Sequence, residues 1–236
     1  MSLCRVLGAT RDDGSRPLLL GALRNDDAQL RRAAARALAE LGPARETCEA
    51  LVTALADEDG LVRAAAAAAL GQLGEAEPAV TQGLVVVTGD EDAHARLAAV
   101  RALAQVADPQ AASVLRSFVR SPDGALALHA VEGLARLRPE PGDEAVFADA
   151  LGHPDSEVVK AATRALSLRP GDTARMGLGR ALGHPRWDVR TLAAEALGER
   201  AALDPMALDV LRAGAQTEAD PLVLEVFGRI LGAGGA

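Results

Sequence analysis

The sequence predicts an all-α fold, an α-solenoid of about seven antiparallel helix pairs, on three observations. The first is self-similarity at a fixed period, which marks stacked repeats. The last large apolar residues of successive long helical stretches, Leu38, Leu70, Leu103, Leu134, Leu166, Leu197 and Ile230, stand 32, 33, 31, 32, 31 and 33 residues apart. The second is that nineteen residues before each stands another large apolar side chain: Leu19, Leu51, Leu84, Leu115, Phe147, Leu178 and Leu211. The third is composition. Hydrophobic residues make up 49% of the chain but aromatics only 2%, and Tyr is absent. Alanine and leucine suit closely packed helices, whereas strands favour aromatic and β-branched side chains.

The elements follow in order. Residues 1–15 read as a remnant or N-terminal cap, since Leu3–Gly8 matches the closing turn of a long helix. Repeats then cover about 16–42, 43–74, 75–107, 108–138, 139–169, 170–201 and 202–236, as one domain. In each, a shorter helix A (16–24, 44–56, 77–88, 109–120, 142–151, 172–182, 204–215) leads through a tight turn to a longer helix B. The B helices are expected at 27–41, 59–73, 91–106, 123–137, 155–168, 186–199 and 219–232. Asn25-Asp26, Asp59-Gly60, Pro122-Asp123, His153-Pro154 and His184-Pro185 break the helical pattern within repeats. Gly42-Pro43, Asp108-Pro109, Pro170-Gly171 and Asp204-Pro205 break it between them. Four residues before the anchor stand Ala34, Ala66, Ala99, Ala130, Ala162 and Ala193, small enough for neighbouring helices to approach. A lone hairpin cannot bury its apolar side, so the pairs must stack. Leu222, Val223, Leu224, Val226 and Phe227 crowd the last helix. That predicts either an excerpt of a longer array or an end that pairs with another chain.

Charges form columns too. Seven residues before the anchor stand Arg31, Arg63, Arg96 and Arg190, and four residues earlier Asp27, Asp59, Asp92, Asp123 and Asp155. An Asp there caps helix B one turn from the Arg. Stacking is expected to interleave Asp27, Arg31, Asp59, Arg63, Asp92, Arg96 and Arg190 in a structural ladder.

Helix A, an Asp-bearing turn, Val-Arg, and an alanine-rich helix ending Leu-Gly together resemble the HEAT repeat. The stretches LVRAAAAAALGQLG (61–74) and DVRTLAAEALGER (188–200) carry the likeness most clearly, and it covers about 16–232. The spacing near 32 resembles the bacterial type also seen in phycobilisome lyase-like repeats. The resemblance implies a curved right-handed stack with helices B on the concave side, used mainly to hold other proteins.

Function is read largely by exclusion. The net charge is −8, against generic nucleic-acid binding, which needs cations to displace counterions. Cys4 and Cys48 are too few for a disulfide framework and fit a reducing cytoplasm. Residues 1–20 lack a signal-peptide pattern, and no stretch approaches a membrane span. No HExxH, phosphate loop, GxSxG or iron-binding His-Glu dipeptide occurs, so no catalytic residue, cofactor site or metal site is expected, and no enzyme. His153 and His184 occupy equivalent turns in adjacent repeats. Packed repeats lie about 10 Å apart, too far for two ligands of one zinc.

The candidate binding surface is the stripe of helix B six before, two before and two after the anchor. It holds Arg32, Arg36, Leu97, Arg101, Leu128, Glu132, Arg136, Lys160, Arg164 and Glu195, with Glu40 and Glu199. Leu97 and Leu128, flanked by Arg101 and Glu132, offer apolar anchors inside a polar rim for a helical or extended partner segment. Trp187 joins them as a hot-spot residue type, although a turn Trp can equally cover the hairpin core. The expected function is therefore a non-catalytic scaffold or adaptor. Nucleic-acid binding through Arg32, Arg36, Arg101, Lys160 and Arg164 is one alternative, and a bilin lyase-like subunit the other. End-to-end self-association is a further expectation.

Overall fold

The computed structural model describes residues 3–10 and 12–233. Among them no strand occurs and the fold is all-α, a helical-repeat solenoid. A helix α1 (Leu3–Thr10) precedes seven A/B pairs. These are α2 (Arg16–Ala22) with α3 (Ala28–Leu41), α4 (Arg45–Ala54) with α5 (Gly60–Leu73), and α6 (Pro78–Val87) with α7 (Ala93–Val106). Then come α8 (Ala112–Phe118) with α9 (Gly124–Arg136), α10 (Asp143–Ala150) with α11 (Ser156–Ser167), α12 (Asp172–Ala181) with α13 (Trp187–Ala201), and α14 (Pro205–Thr217) with α15 (Pro221–Ala233). The expected helices are met to within three residues at either end.

Alanine and leucine cost little rotamer entropy in a helix, and Asp side chains fix where each B helix starts. Asp27, Asp59, Asp92, Asp123 and Asp155 all accept from backbone N–H groups of the first turn, as for Asp59 with Leu61 and Val62. Such caps contribute about 1 kcal/mol each. At the other end Gly74 adopts a left-handed φ of 70° and returns its N–H to Leu70 O. Ala107 closes α7 in the same way at φ 53°, a conformation that strains an L side chain by about 1–2 kcal/mol.

Twelve of the largest fully buried side chains are Leu19, Leu38, Leu51, Leu70, Leu84, Leu103, Leu115, Leu134, Phe147, Leu166, Leu178 and Leu197. Each belongs to one of the two apolar columns. Burying a side chain of this size contributes about 1.5–3 kcal/mol. Ile230 is the exception, half-buried because no further hairpin covers it among the described residues.

Contacts divide the chain into two compact units, 1–115 and 116–236, the boundary falling inside α8. In the first unit α1, α3, α5 and α7 pack side by side in that order, with the A helices behind them. Helix α1 packs on α3 as α5 packs on α7. A Cβ on Gly8 would lie 2.9 Å from Ala37 Cα, just as one on Gly71 would lie 2.8 Å from Ala102 Cα. In the second unit α9, α11, α13 and α15 form the corresponding row.

Candidate functional site: the A/B turns and the exposed face of helix B

The turns between helices A and B share one device. Two residues before each B-helix cap, a side chain accepts the cap residue's backbone N–H. Asn25, Asp57 and Asp90 do so in the first unit, for Asp27, Asp59 and Asp92. Ser121, His153, His184 and Glu218 do so in the second, for Asp123, Asp155, Arg186 and Asp220. His153 and His184 use Nδ1 at 3.0 and 3.2 Å, which requires that nitrogen unprotonated.

The column arginines lock these turns together. Arg63 Nη1 donates to the carbonyls of Asp57 and Glu58 in its own turn. Its Nε and Nη2 reach Asp90 of the next turn at 2.6 and 2.7 Å. Arg31 repeats the pattern with Asn25 O, Asp26 O and the Asp57 carboxylate. Arg96 holds Asp90 O and Glu91 O. The ladder thus forms, but its carboxylates are Asp57 and Asp90 rather than the caps Asp59 and Asp92, which are occupied by helix N–H groups. Arg63 holds the Asp90 carboxyl below its usual range. Burial pushes Asp57 up, but Arg31 and the Asp59 N–H outweigh it and its carboxyl is also lowered.

The second unit replaces three of the arginines with Ala127, Val159 and Val223, all fully buried. Here His153 Nε2 donates to Ser121 O at 3.0 Å, the carbonyl position that Arg31 or Arg63 serves in the first unit. Arg190 restores the bridge, donating to His184 O and Pro185 O and pairing with Glu218 at 2.7 Å. Arg186 holds the Asp188 carboxyl down to about 2. Burial, then Arg186 and Arg190, keep His184 below the ordinary imidazole value, outweighing Asp188.

On the helix-B face, Arg36, Arg101, Glu132, Arg136 and Arg164 are exposed, and Arg32, Leu97, Leu128 and Glu195 are half-buried. Leu97 lies on α7 of the first unit and Leu128 on α9 of the second. Several of the stripe charges are engaged: Lys160 pairs with Glu157 and Asp188 at 2.6 and 3.6 Å, Glu195 with Arg229 at 2.9 Å, and Glu132 sits 3.5 Å from His129. Among the described residues no ion pair involves Arg32, Arg36, Arg101 or Arg164. Trp187 is half exposed at the first turn of α13.

Sequence reasoning passed over a second cluster. Three residues after the anchor stand Leu41, Leu73, Val106 and Leu137, but then Arg169 and Arg200, and that break in the column was a readable signal. Arg169 is buried with its guanidinium 5.6 Å from the Phe147 ring centre and Nη2 on Leu134 O. Arg200 donates to Arg169 O and Gly171 O, and Asp204 binds both Arg175 and Arg200. These contacts join successive B-to-A turns and balance charge, which is structural work. Cys4 and Cys48 are buried free thiols. Burial, with Glu77 and Glu75 nearby, pushes the Cys48 thiol up, away from the reactive thiolate. No cluster of metal-ligating side chains is found among the described residues, and no helix among them is long and apolar enough to cross a membrane.

A family model described as HEAT repeats matches residues 2–71, 48–135, 81–167 and 144–231. Among solved structures, an Escherichia coli protein, YibA, is similar at 20% identity over 96% of this chain and 85% of its own, with a TM-score of 0.69. The complex of CpcE and CpcF of phycocyanin lyase from Nostoc is similar at 22% identity, 92% and 94% coverage, and a TM-score of 0.57. Computationally designed armadillo repeat proteins for modular peptide recognition are similar at 19% identity, 77% and 98% coverage, and a TM-score of 0.59. At these identities the likeness is one of fold. The search of curated proteins gave no match.

Proposed function

The chain belongs to the HEAT-repeat family, and from that premise we propose that it is a non-catalytic scaffold that holds a protein partner on the exposed faces of its B helices. One observation carries the reading: the turn arginines Arg31, Arg63 and Arg190 are consumed inside the fold, whereas Arg32, Arg36, Arg101 and Arg164 on the B face have no internal ion pair among the described residues. Charges held out of internal pairing remain available to a partner. The similar designed repeats for peptide recognition support a module of this kind. So does the lyase complex, in which two chains assemble.

A photo-crosslinking amino acid in place of exposed Ala68 on α5 tests this, with exposed Val86 on α6 as the control position. Partner adducts should form from Ala68 and disappear when Leu97→Asp is added. Adducts from Val86 alone would defeat the proposal.

Nucleic-acid binding through the B-face cations is the second reading. It is weakened because Lys160 is already committed to Glu157 and Asp188. A gel shift without a complex at low salt would end it, because phosphate contacts strengthen steeply as salt falls. A tetrapyrrole-handling role would call for aromatic pocket walls, yet Phe147 and Phe227 are buried in the core.

A further inference from the structure

We propose that the B face of the first unit docks an acidic extended peptide segment, its carboxylates meeting Arg36 and Arg101 on either side of Ala68. The inference rests on the scaffold reading above and names the chemistry of the partner.

Helices α3, α5 and α7 lie side by side, so equivalent positions form rows across them. The row two before the anchor reads Arg36, Ala68, Arg101, all exposed. The row one turn earlier reads Arg32, Ala64, Leu97, all half-buried. The third row, two after the anchor, closes one side of the face. Glu40 leans over α1, with Oε2 only 2.8 Å from where a Gly8 Cβ would be. Gln72 turns back to Ala39 O at 3.5 Å, and Gln105 lies over Gly71 of α5. What remains open is a low floor of alanine between two guanidiniums.

The rest of the unit makes this patch unusual. Residues 1–115 hold 11 Arg and 16 Asp or Glu, a net charge of 11 − 16 = −5. Turns 25–27, 57–59 and 90–92 carry eight carboxylates against Arg31, Arg63 and Arg96, so 3 − 8 = −5 lies along that edge. On the B-face rows the sum is reversed, three arginines against Glu40. A short acidic segment can use the positive face and avoid the edge. A nucleic acid, with one charge per about 1.7 Å of duplex axis, would set far more negative charge over these three arginines than they can neutralise, beside that acidic edge, which selects a short peptide over nucleic acid. Adjacent helices pack about 8–10 Å apart, placing Arg36 and Arg101 about 16–20 Å from each other. An extended chain at about 3.3 Å per residue covers that in five or six residues. The partner motif is therefore two acidic positions five or six apart, with small or apolar residues between them.

The probe is a fluorescein-labelled eight-residue peptide with a Glu-Glu pair at each end and Gly, Ala and Leu between, which sets glutamates five and six positions apart, followed by fluorescence anisotropy with the full chain. The expected result is saturable binding that weakens with salt, loses at least tenfold in affinity in Arg36→Glu with Arg101→Glu, and is unchanged in Arg180→Glu on α12. Ala68→Glu, at an exposed helix position, should produce a similar loss with an unchanged circular dichroism spectrum. Equal binding by the wild type and the double variant, or no binding at low salt, would overturn the proposal. So would single-stranded DNA that displaces the peptide at equal concentration. If the peptide fails while crosslinks from Ala68 to a partner persist, the acidic chemistry is wrong and the scaffold reading stands.

Discussion

The two units repeat the same apolar columns, but the second fastens one of its turns by a histidine where the first uses arginine. Between α3 and α7 the fastening is ionic: Arg31 and Arg63 each bind two carbonyls of their own turn and a carboxylate of the next. Where Ala127 stands in place of that arginine, His153 of the following turn reaches back to Ser121 O instead. The carbonyl is satisfied either way, because a buried acceptor without a donor costs about 1–3 kcal/mol. What a turn requires, then, is a filled hydrogen bond, and arginine is only one way to fill it.

The comparison can be broken most forcefully at the core. Leu70→Ala in the first unit and Leu166→Ala in the second should each lose about 2–5 kcal/mol in urea unfolding. A marginal effect in only one of them would show that the units are not built alike. Next in size, Arg63→Ala leaves the half-buried Asp90 carboxylate without its guanidinium and should cost about 1–3 kcal/mol by the same measurement. His153→Ala removes two neutral hydrogen bonds and should cost less, about 1–2 kcal/mol. A reversed order would refute the assignment of the ionic bridge as the stronger fastening.

Acid should separate the units further. His184 is held below the ordinary imidazole value of 6.5, so unfolding takes up a proton. Its stabilisation is complete above 6.5 and is lost as pH falls through the folded value. Asp90 is held below 3.8, and its contribution, present above 3.8, is lost as pH falls through its own lower folded value. Hydrogen exchange corrected for intrinsic rates should therefore show the Arg186 amide, bonded to His184, losing protection as pH falls from 6.5 toward 3.8, the ordinary value of Asp90. The Asp92 amide, bonded to Asp90, should hold over that range. The smallest effect belongs to the exposed pairs Arg45–Glu49 and Arg120–Asp149. Glu49→Gln and Asp149→Asn should leave the melting temperature unchanged, since water screens such pairs.

The fold was legible because its signal is periodic. Each anchor from Leu38 to Leu197 falls at an apolar column that recurs at nearly constant spacing, and burial follows the column. The ladder was legible only in part. Spacing along a helix placed Asp59 one turn from Arg63, but Asp59 is used up capping Leu61 and Val62. The carboxylate that Arg63 does bind, Asp90, lies 27 residues on and becomes a neighbour only through stacking. Exposure of the B-face stripe followed from helical phase, as at Arg36 and Arg101. Which of its charges are engaged did not, because Lys160 and Glu195 find partners on neighbouring helices.

The fastenings between turns have one more consequence, since partners such as Arg31–Asp57, Arg63–Asp90 and Ser121–His153 sit 26, 27 and 32 residues apart. Excising residues 60–92, one full period cut from Gly60 through Asp92, would fuse Asp59 to Ala93 and hand α7 the cap that α5 had. Arg31 would keep Asp57, and Arg96 would take over the Asp57 and Glu58 carbonyls that Arg63 held. Removing ten residues from the same place would put the later residues out of phase with the earlier ones. Such a chain tolerates lengthening and shortening in whole steps, so array length can drift by duplication while the joint between steps stays fixed.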